Sequence, residues 1–86
     1  MDLKEIQNRN YMATVNRGLI DEETTSLEFI EKLEEELNEL MLATPINEHL
    51  ELADIIIVCL NYAEHAGINI QKALEEKTIF NEQRKD

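Results

Sequence analysis

The stretch INEHLELADIIIVCLNYAEHA, residues 46–66, decides how this chain folds. As a helix it spans about 31 Å at about 1.5 Å per residue. Leu50, Leu52, Ala53, Ile55, Ile56, Ile57, Val58, Cys59, Leu60, Tyr62, Ala63 and Ala66 make it apolar almost all the way round, the mark of a helix covered by other elements. Yet Asn47, Glu51, Asp54, Asn61 and His65 fall on one narrow stripe at about 100° per residue, interrupted only by Val58. Buried carboxylates are costly unless paired or bound to a metal. The rest of the chain must therefore supply a partner or a ligand for Glu51 and Asp54.

The boundaries of this helix read from its flanks. Thr44 offers a hydroxyl cap, and Pro45 follows it where a missing amide is harmless. Gly67 ends the helix after Ala66, and Asn69 caps a last helix expected to run to about Arg84. On the N-terminal side, Thr25 and Glu28 have the spacing of a capping box. They open an amphipathic helix from Ser26 to about Leu42, with Leu27, Phe29, Ile30, Leu33, Leu37, Leu40 and Met41 as its apolar arc. A weaker helix, Leu3 to Asn16, comes first and stops near Gly18, where a left-handed cap is easy. There is no internal repeat. The expected fold is all-α, a compact antiparallel helical bundle forming a single domain over residues 1–86.

Length and charge narrow the function. At 86 residues there is little spare core, and oligomerisation is the simplest cover for a helix that is apolar on several sides. Nineteen acidic side chains against eight basic ones give a formal charge of -11. That balance disfavours nucleic acid and anionic membrane as partners, because both select positive charge. The apolar run Ile55 to Leu60 is too short to cross a bilayer. The single cysteine, Cys59, makes no intrachain disulfide and is most simply a small hydrophobe. With no recognisable signal pattern, the expected compartment is the reducing cytoplasm.

Antiparallel packing around the short connection at Ala43 to Asn47 brings Glu36 and Glu39 of the second helix towards Glu51 and Asp54 of the third. Glutamates abound on the second helix, and periodicity alone does not separate this pair from a solvated acidic face. Four converging carboxylates repel one another unless a cation neutralises them. Oxygen-only ligands suit Mg²⁺, with Mn²⁺ an alternative, and Mg²⁺ typically completes its shell with water and substrate phosphates. Such a metal activates water, and Glu36 and Glu39 are the candidates to receive the proton.

Lys77, Asn81 and Arg84, spaced by four and three on the last helix, form the complementary phosphate-binding set; ordinary surface charge near a helix end accounts for the two cations equally simply. Asn61 is a candidate for positioning substrate or for simple polar packing. Tyr11 and Phe29 are candidates to stack on a base, Phe29 with the stronger claim to a core role. His65 lies more than two turns beyond Asp54 and reads as a polar or capping residue rather than a ligand. A carboxylate-bridged di-iron centre fits less well, because Glu-x-x-His pairs are missing.

With these residues in view the chain resembles the MazG-like all-α nucleotide pyrophosphohydrolases. The likeness rests on KLEEELNEL at 32–40, ELAD at 51–54, AGINIQKA at 66–73 and the later Lys77, Asn81 and Arg84, with RNYMATVNRG at 9–18 similar to the family's first helix. The resemblance implies hydrolysis between the α- and β-phosphates of a nucleoside triphosphate, giving a monophosphate and pyrophosphate. It also implies Mg²⁺ on Glu36, Glu39, Glu51 and Asp54, phosphate on Lys77, Asn81 and Arg84, and a homodimer or homotetramer. Base and sugar preference is not implied. The competing reading is a noncatalytic acidic helical interaction or regulatory protein, supported by the charge and small size. Its weak point is the acid pair inside the most apolar helix.

Overall fold

Local signals punctuate the chain into four helices, seen in a computed structural model that describes residues 1–85. Helix α1, Leu3–Asn16, starts where the Asp2 carboxylate accepts a hydrogen bond from the Glu5 amide at 2.9 Å. It stops at Gly18, whose φ of 76° lets the Leu19 amide donate back to the Thr14 carbonyl. Helix α2, Ser26–Met41, opens with the reciprocal capping box of Thr25 and Glu28. Helix α3 is Glu48–His65 and ends on a second left-handed glycine, Gly67, at φ 70°. Helix α4, Ile70–Gln83, begins where the Asn69 side chain accepts from the Lys72 amide. No strand occurs among the described residues.

One boundary differs from expectation. Thr44 and Pro45 do not cap α3 directly; they form a turn, and α3 starts at Glu48. The Asn47 side chain accepts from the Thr44 amide at 2.9 Å and from its hydroxyl at 3.1 Å, so it folds back onto the turn instead of capping the helix. This local bond competes with the helical start that the Thr-Pro pair suggests.

Helices α1 and α2 both pack on α3. Their shared core is small: Ile20, Phe29, Val58, Leu60 and Ala63. Phe29 stacks on Tyr62 with centroids 5.1 Å apart and planes 6° from parallel. Gln7, itself buried, donates from Nε2 to the Leu60 carbonyl at 2.9 Å and ties α1 to the middle of α3. His65 performs a similar task at the end of α3. Its Nε2 lies 2.8 Å from the Thr24 carbonyl, which can only accept, so that nitrogen carries a proton. In the neutral ring, Nδ1 then accepts from the Tyr11 hydroxyl at 3.0 Å. One imidazole thereby joins α1, α3 and the α1–α2 connection.

Helix α4 packs extensively on none of the others and contains no buried residue. Leu74, Ile79 and Phe80 on α4, and Leu52 and Ile56 on α3, are about half exposed. The chain presents 6788 Å² to solvent, where a compact monomer of 10.0 kDa presents about 5,200 Å². Its radius of gyration, 14.4 Å, exceeds the roughly 12 Å of a compact chain of this length. The four-helix, all-α architecture is therefore present, with three helices sharing a core and the fourth set apart from it.

The core assignment is testable by denaturant unfolding. Phe29→Ala is expected to lower stability by about 3 kcal/mol through lost burial and a residual cavity, and Thr25→Ala by about 1 kcal/mol through the lost cap. A Phe29→Ala cost no larger than that of the cap would contradict the packing described.

Candidate metal centre

The antiparallel α2–α3 pair places its two acidic motifs side by side. Glu36 and Glu39 come from the last turns of α2, and Glu51 and Asp54 from the first turns of α3. Each contributes a carboxylate oxygen, and these four oxygens all lie within 4.8 Å of one another. The three-residue spacing on each helix points both members of a pair the same way. Helix packing then closes the group.

Burial across the cluster is graded. Glu36 is only 6% exposed, Glu51 is partly buried, and Glu39 and Asp54 lie on the open side. Lys32, one turn before Glu36, donates to one of its oxygens, Oε1, at 3.1 Å. The other oxygen, Oε2, is buried with no hydrogen-bond partner, and so is Oε2 of Glu51. A buried carboxylate oxygen without a donor is costly to maintain. Two such atoms in one cluster, among four hard oxygen donors, fit a divalent cation.

Charge crowding registers at the rim. Glu39 is held above the ordinary carboxylate range, first by its hydrogen bond with Glu36 and then by the negative charge of Glu36, with smaller contributions from burial and from Glu51 and Glu35. Lys32 is raised above the ordinary lysine value, chiefly by its hydrogen bond to Glu36, against an opposing effect of burial.

Beside the carboxylates opens a cavity of about 540 Å³. Glu36 and Asp54 stand on its wall together with Lys32, Arg17, Thr14 and Asn61, and Leu19, Ile20, Phe29, Ile57 and Val58 supply apolar surface. Asn61 thus lies on the same wall as Glu36 and Asp54. Tyr11 is not on this wall; its hydroxyl is engaged with His65. Phe29 is core, and both ring nitrogens of His65 are engaged, in keeping with its polar structural reading. Lys77 and Asn81 on α4 and Arg84 just beyond its end are exposed, and none of them lines this cavity of its own chain. Lys77 instead lies over the Phe80 ring, 4.5 Å from its centroid.

The cations at the cavity, Lys32 and Arg17, were not singled out by sequence reasoning. Lys32 carried a signal, its four-residue spacing from Glu36. Arg17 carried none, because its place depends on how the chain turns back after α1.

The pH response follows from Glu39. A carboxyl whose folded pKa is raised binds its proton more tightly when folded, so its stabilising contribution is present below the unfolded pKa and lost as pH rises through the folded one. In metal-free solution Tm is expected to fall as pH climbs from the ordinary carboxylate range towards neutrality, and Glu39→Gln is expected to reduce that fall. Mg²⁺ at about 100 times its Kd is expected to add about 2.7 kcal/mol at neutral pH. Thermal scans that show no Mg²⁺ effect and an unchanged pH slope in Glu39→Gln would contradict this.

Comparisons with known proteins found no matching family model, no matching curated protein and no matching solved structure.

Proposed function

We propose that the protein is a divalent-metal-dependent nucleoside triphosphate pyrophosphohydrolase of the MazG-like kind, cleaving between the α- and β-phosphates to release a monophosphate and pyrophosphate. The observation that carries this reading is the pair of unpartnered buried oxygens, Glu36 Oε2 and Glu51 Oε2, in a four-carboxylate cluster that opens onto a cavity. Glu36, Glu39, Glu51 and Asp54 would hold the metal, Mg²⁺ with Mn²⁺ as a substitute. When bound, such an ion polarises a phosphoryl oxygen and acidifies water.

The chain's own groups supply the rest. A carboxylate oxygen of Glu36 or Glu39 receives the proton of the attacking water, the graded burial keeping one acid dry and the other at the rim. Lys32 Nζ fixes the Glu36 carboxylate through Oε1. Arg17, at the same cavity, offers a planar fork suited to phosphate oxygens.

The assembly is part of the proposal. The exposed surface exceeds that of a compact monomer by about 1,500 Å², which is of the order that each partner covers in an obligate homodimer. A second copy covering the half-exposed Leu52, Ile56 and Phe80 gives α4 a packing partner. In a homodimer or homotetramer, Lys77, Asn81 and Arg84 would then serve phosphate across subunits. Sedimentation equilibrium is expected to return at least twice the 10.0 kDa chain mass; a monomer at micromolar concentration would contradict this part.

The second reading, a noncatalytic acidic interaction protein, draws on the exposure of Glu39 and Asp54 and on the charge of -11. A nucleotide panel with Mg²⁺ or Mn²⁺, resolving monophosphate, diphosphate, phosphate and pyrophosphate, separates the two. Monophosphate and pyrophosphate are expected from at least one triphosphate, and Glu36→Gln is expected to lower kcat by about 100-fold or more, an effect of roughly 3 kcal/mol. No product from any nucleotide selects the noncatalytic reading. Orthophosphate with diphosphate moves the cleavage to another bond.

A further inference from the structure

Asn61 is 6% exposed and lies on the wall of the cavity beside the carboxylates, yet its Oδ1 has no hydrogen-bond partner. Its orientation is fixed chemically. The Thr14 hydroxyl donates to the Asn10 carbonyl at 2.8 Å, so its oxygen has no further proton to give. Asn61 Nδ2 donates to that oxygen at 3.4 Å. Flipping the amide would set Oδ1 against an oxygen with no proton to offer, so Oδ1 is kept as a buried acceptor. An acceptor in this state stands ready for a donor from outside the chain.

The surroundings state what kind of donor. Ile20, Phe29, Ile57 and Val58 line the same cavity as the amide and give it apolar surface suited to the face of a flat ring, with Glu28, Glu31 and Glu35 also on its wall. Asn61 lies seven residues beyond Asp54 on the same helix stripe, about 10 Å along the axis. That separation leaves room for a sugar between a phosphate at the carboxylates and a ring at Asn61. The cavity volume of about 540 Å³ falls within the range of small-molecule sites.

We propose that this cavity is a nucleobase subsite in which Asn61 Oδ1 accepts an N–H from the base edge, with Thr14 holding the amide in register. The second Nδ2 proton faces an adjacent acceptor on the same edge. The subsite rests on the proposed nucleotide chemistry for its phosphate end, while Asn61 itself touches only the base. Base-free phosphates therefore reach the carboxylates without engaging it.

The test titrates the whole protein, in Mg²⁺, with the monophosphates of uridine, cytidine, adenosine and guanosine, and with ribose 5-phosphate as the base-free probe. The readout is the side-chain amide resonance of Asn61 in ¹⁵N-correlated spectra. At least one nucleoside monophosphate is expected to shift that resonance, and ribose 5-phosphate is not. Asn61→Leu, checked for folding by circular dichroism, is expected to weaken nucleotide binding about tenfold or more and to leave ribose 5-phosphate binding unchanged. Thr14→Val, which frees the amide to flip, is expected to weaken nucleotide binding in the same direction. No nucleotide shifting the resonance, an equal shift from ribose 5-phosphate, or unchanged nucleotide affinity in folded Asn61→Leu would overturn the subsite. Binding is read without turnover, so a protein that binds in this way and hydrolyses nothing keeps the subsite and loses the hydrolase. A protein that hydrolyses nucleotides equally well with and without Asn61 keeps the hydrolase and loses the subsite.

Discussion

The buried carboxylate of Glu36 is the constraint on which the rest of this structure turns. One of its oxygens is held by Lys32 at 3.1 Å, and the other has no donor. A lone lysine, itself about half exposed, screens such a charge only partly. Of the three further carboxylates within 4.8 Å, Glu51 and Asp54 add negative charge, and Glu39 gives relief only when it takes up a proton. Without a cation the cluster therefore costs stability, as sites arranged for a ligand commonly do.

Helix α3 reconciles those demands by dividing its surface. Val58, Leu60 and Ala63 are buried against α1 and α2, while Glu51, Asp54 and Asn61 follow the polar stripe along the same helix. The N-terminal part of the stripe meets Glu36 and Glu39, and Asn61 lines the cavity about two turns beyond Asp54. His65, at the end of the stripe, locks the helix to Tyr11 and Thr24. A single helix thus carries charge, a neutral acceptor and a structural anchor in order along one line.

Much of this was legible in the sequence, because caps and periodicity are local. Leu3–Asn16 follows from its own residues and Gly18, and Ser26–Met41 from the Thr25–Glu28 box and its apolar arc. The convergence of Glu36, Glu39, Glu51 and Asp54 follows from one short connection between two antiparallel helices. The start of α3 was less legible, since Asn47 bonds back to Thr44 and delays the helix to Glu48. The placement of α4 was not legible at all. Face patterning shows that Ile70, Leu74 and Phe80 share a side, but the angle set at Gly67–Asn69 decides what that side meets. For the same reason Arg17 and Thr14 joined the site only through the fold.

Manganese binding followed by electron paramagnetic resonance tests the central claim most directly, because loss of the free-ion signal counts bound metal without requiring a substrate. Saturable binding is expected of the wild-type protein, weakened about tenfold or more by Glu36→Gln and by Asp54→Asn, and little affected by Glu34→Gln, which is exposed on α2 and off the cavity wall. Equal effects from all three variants, or no saturable binding, would reduce the four carboxylates to ordinary surface charge and contradict it.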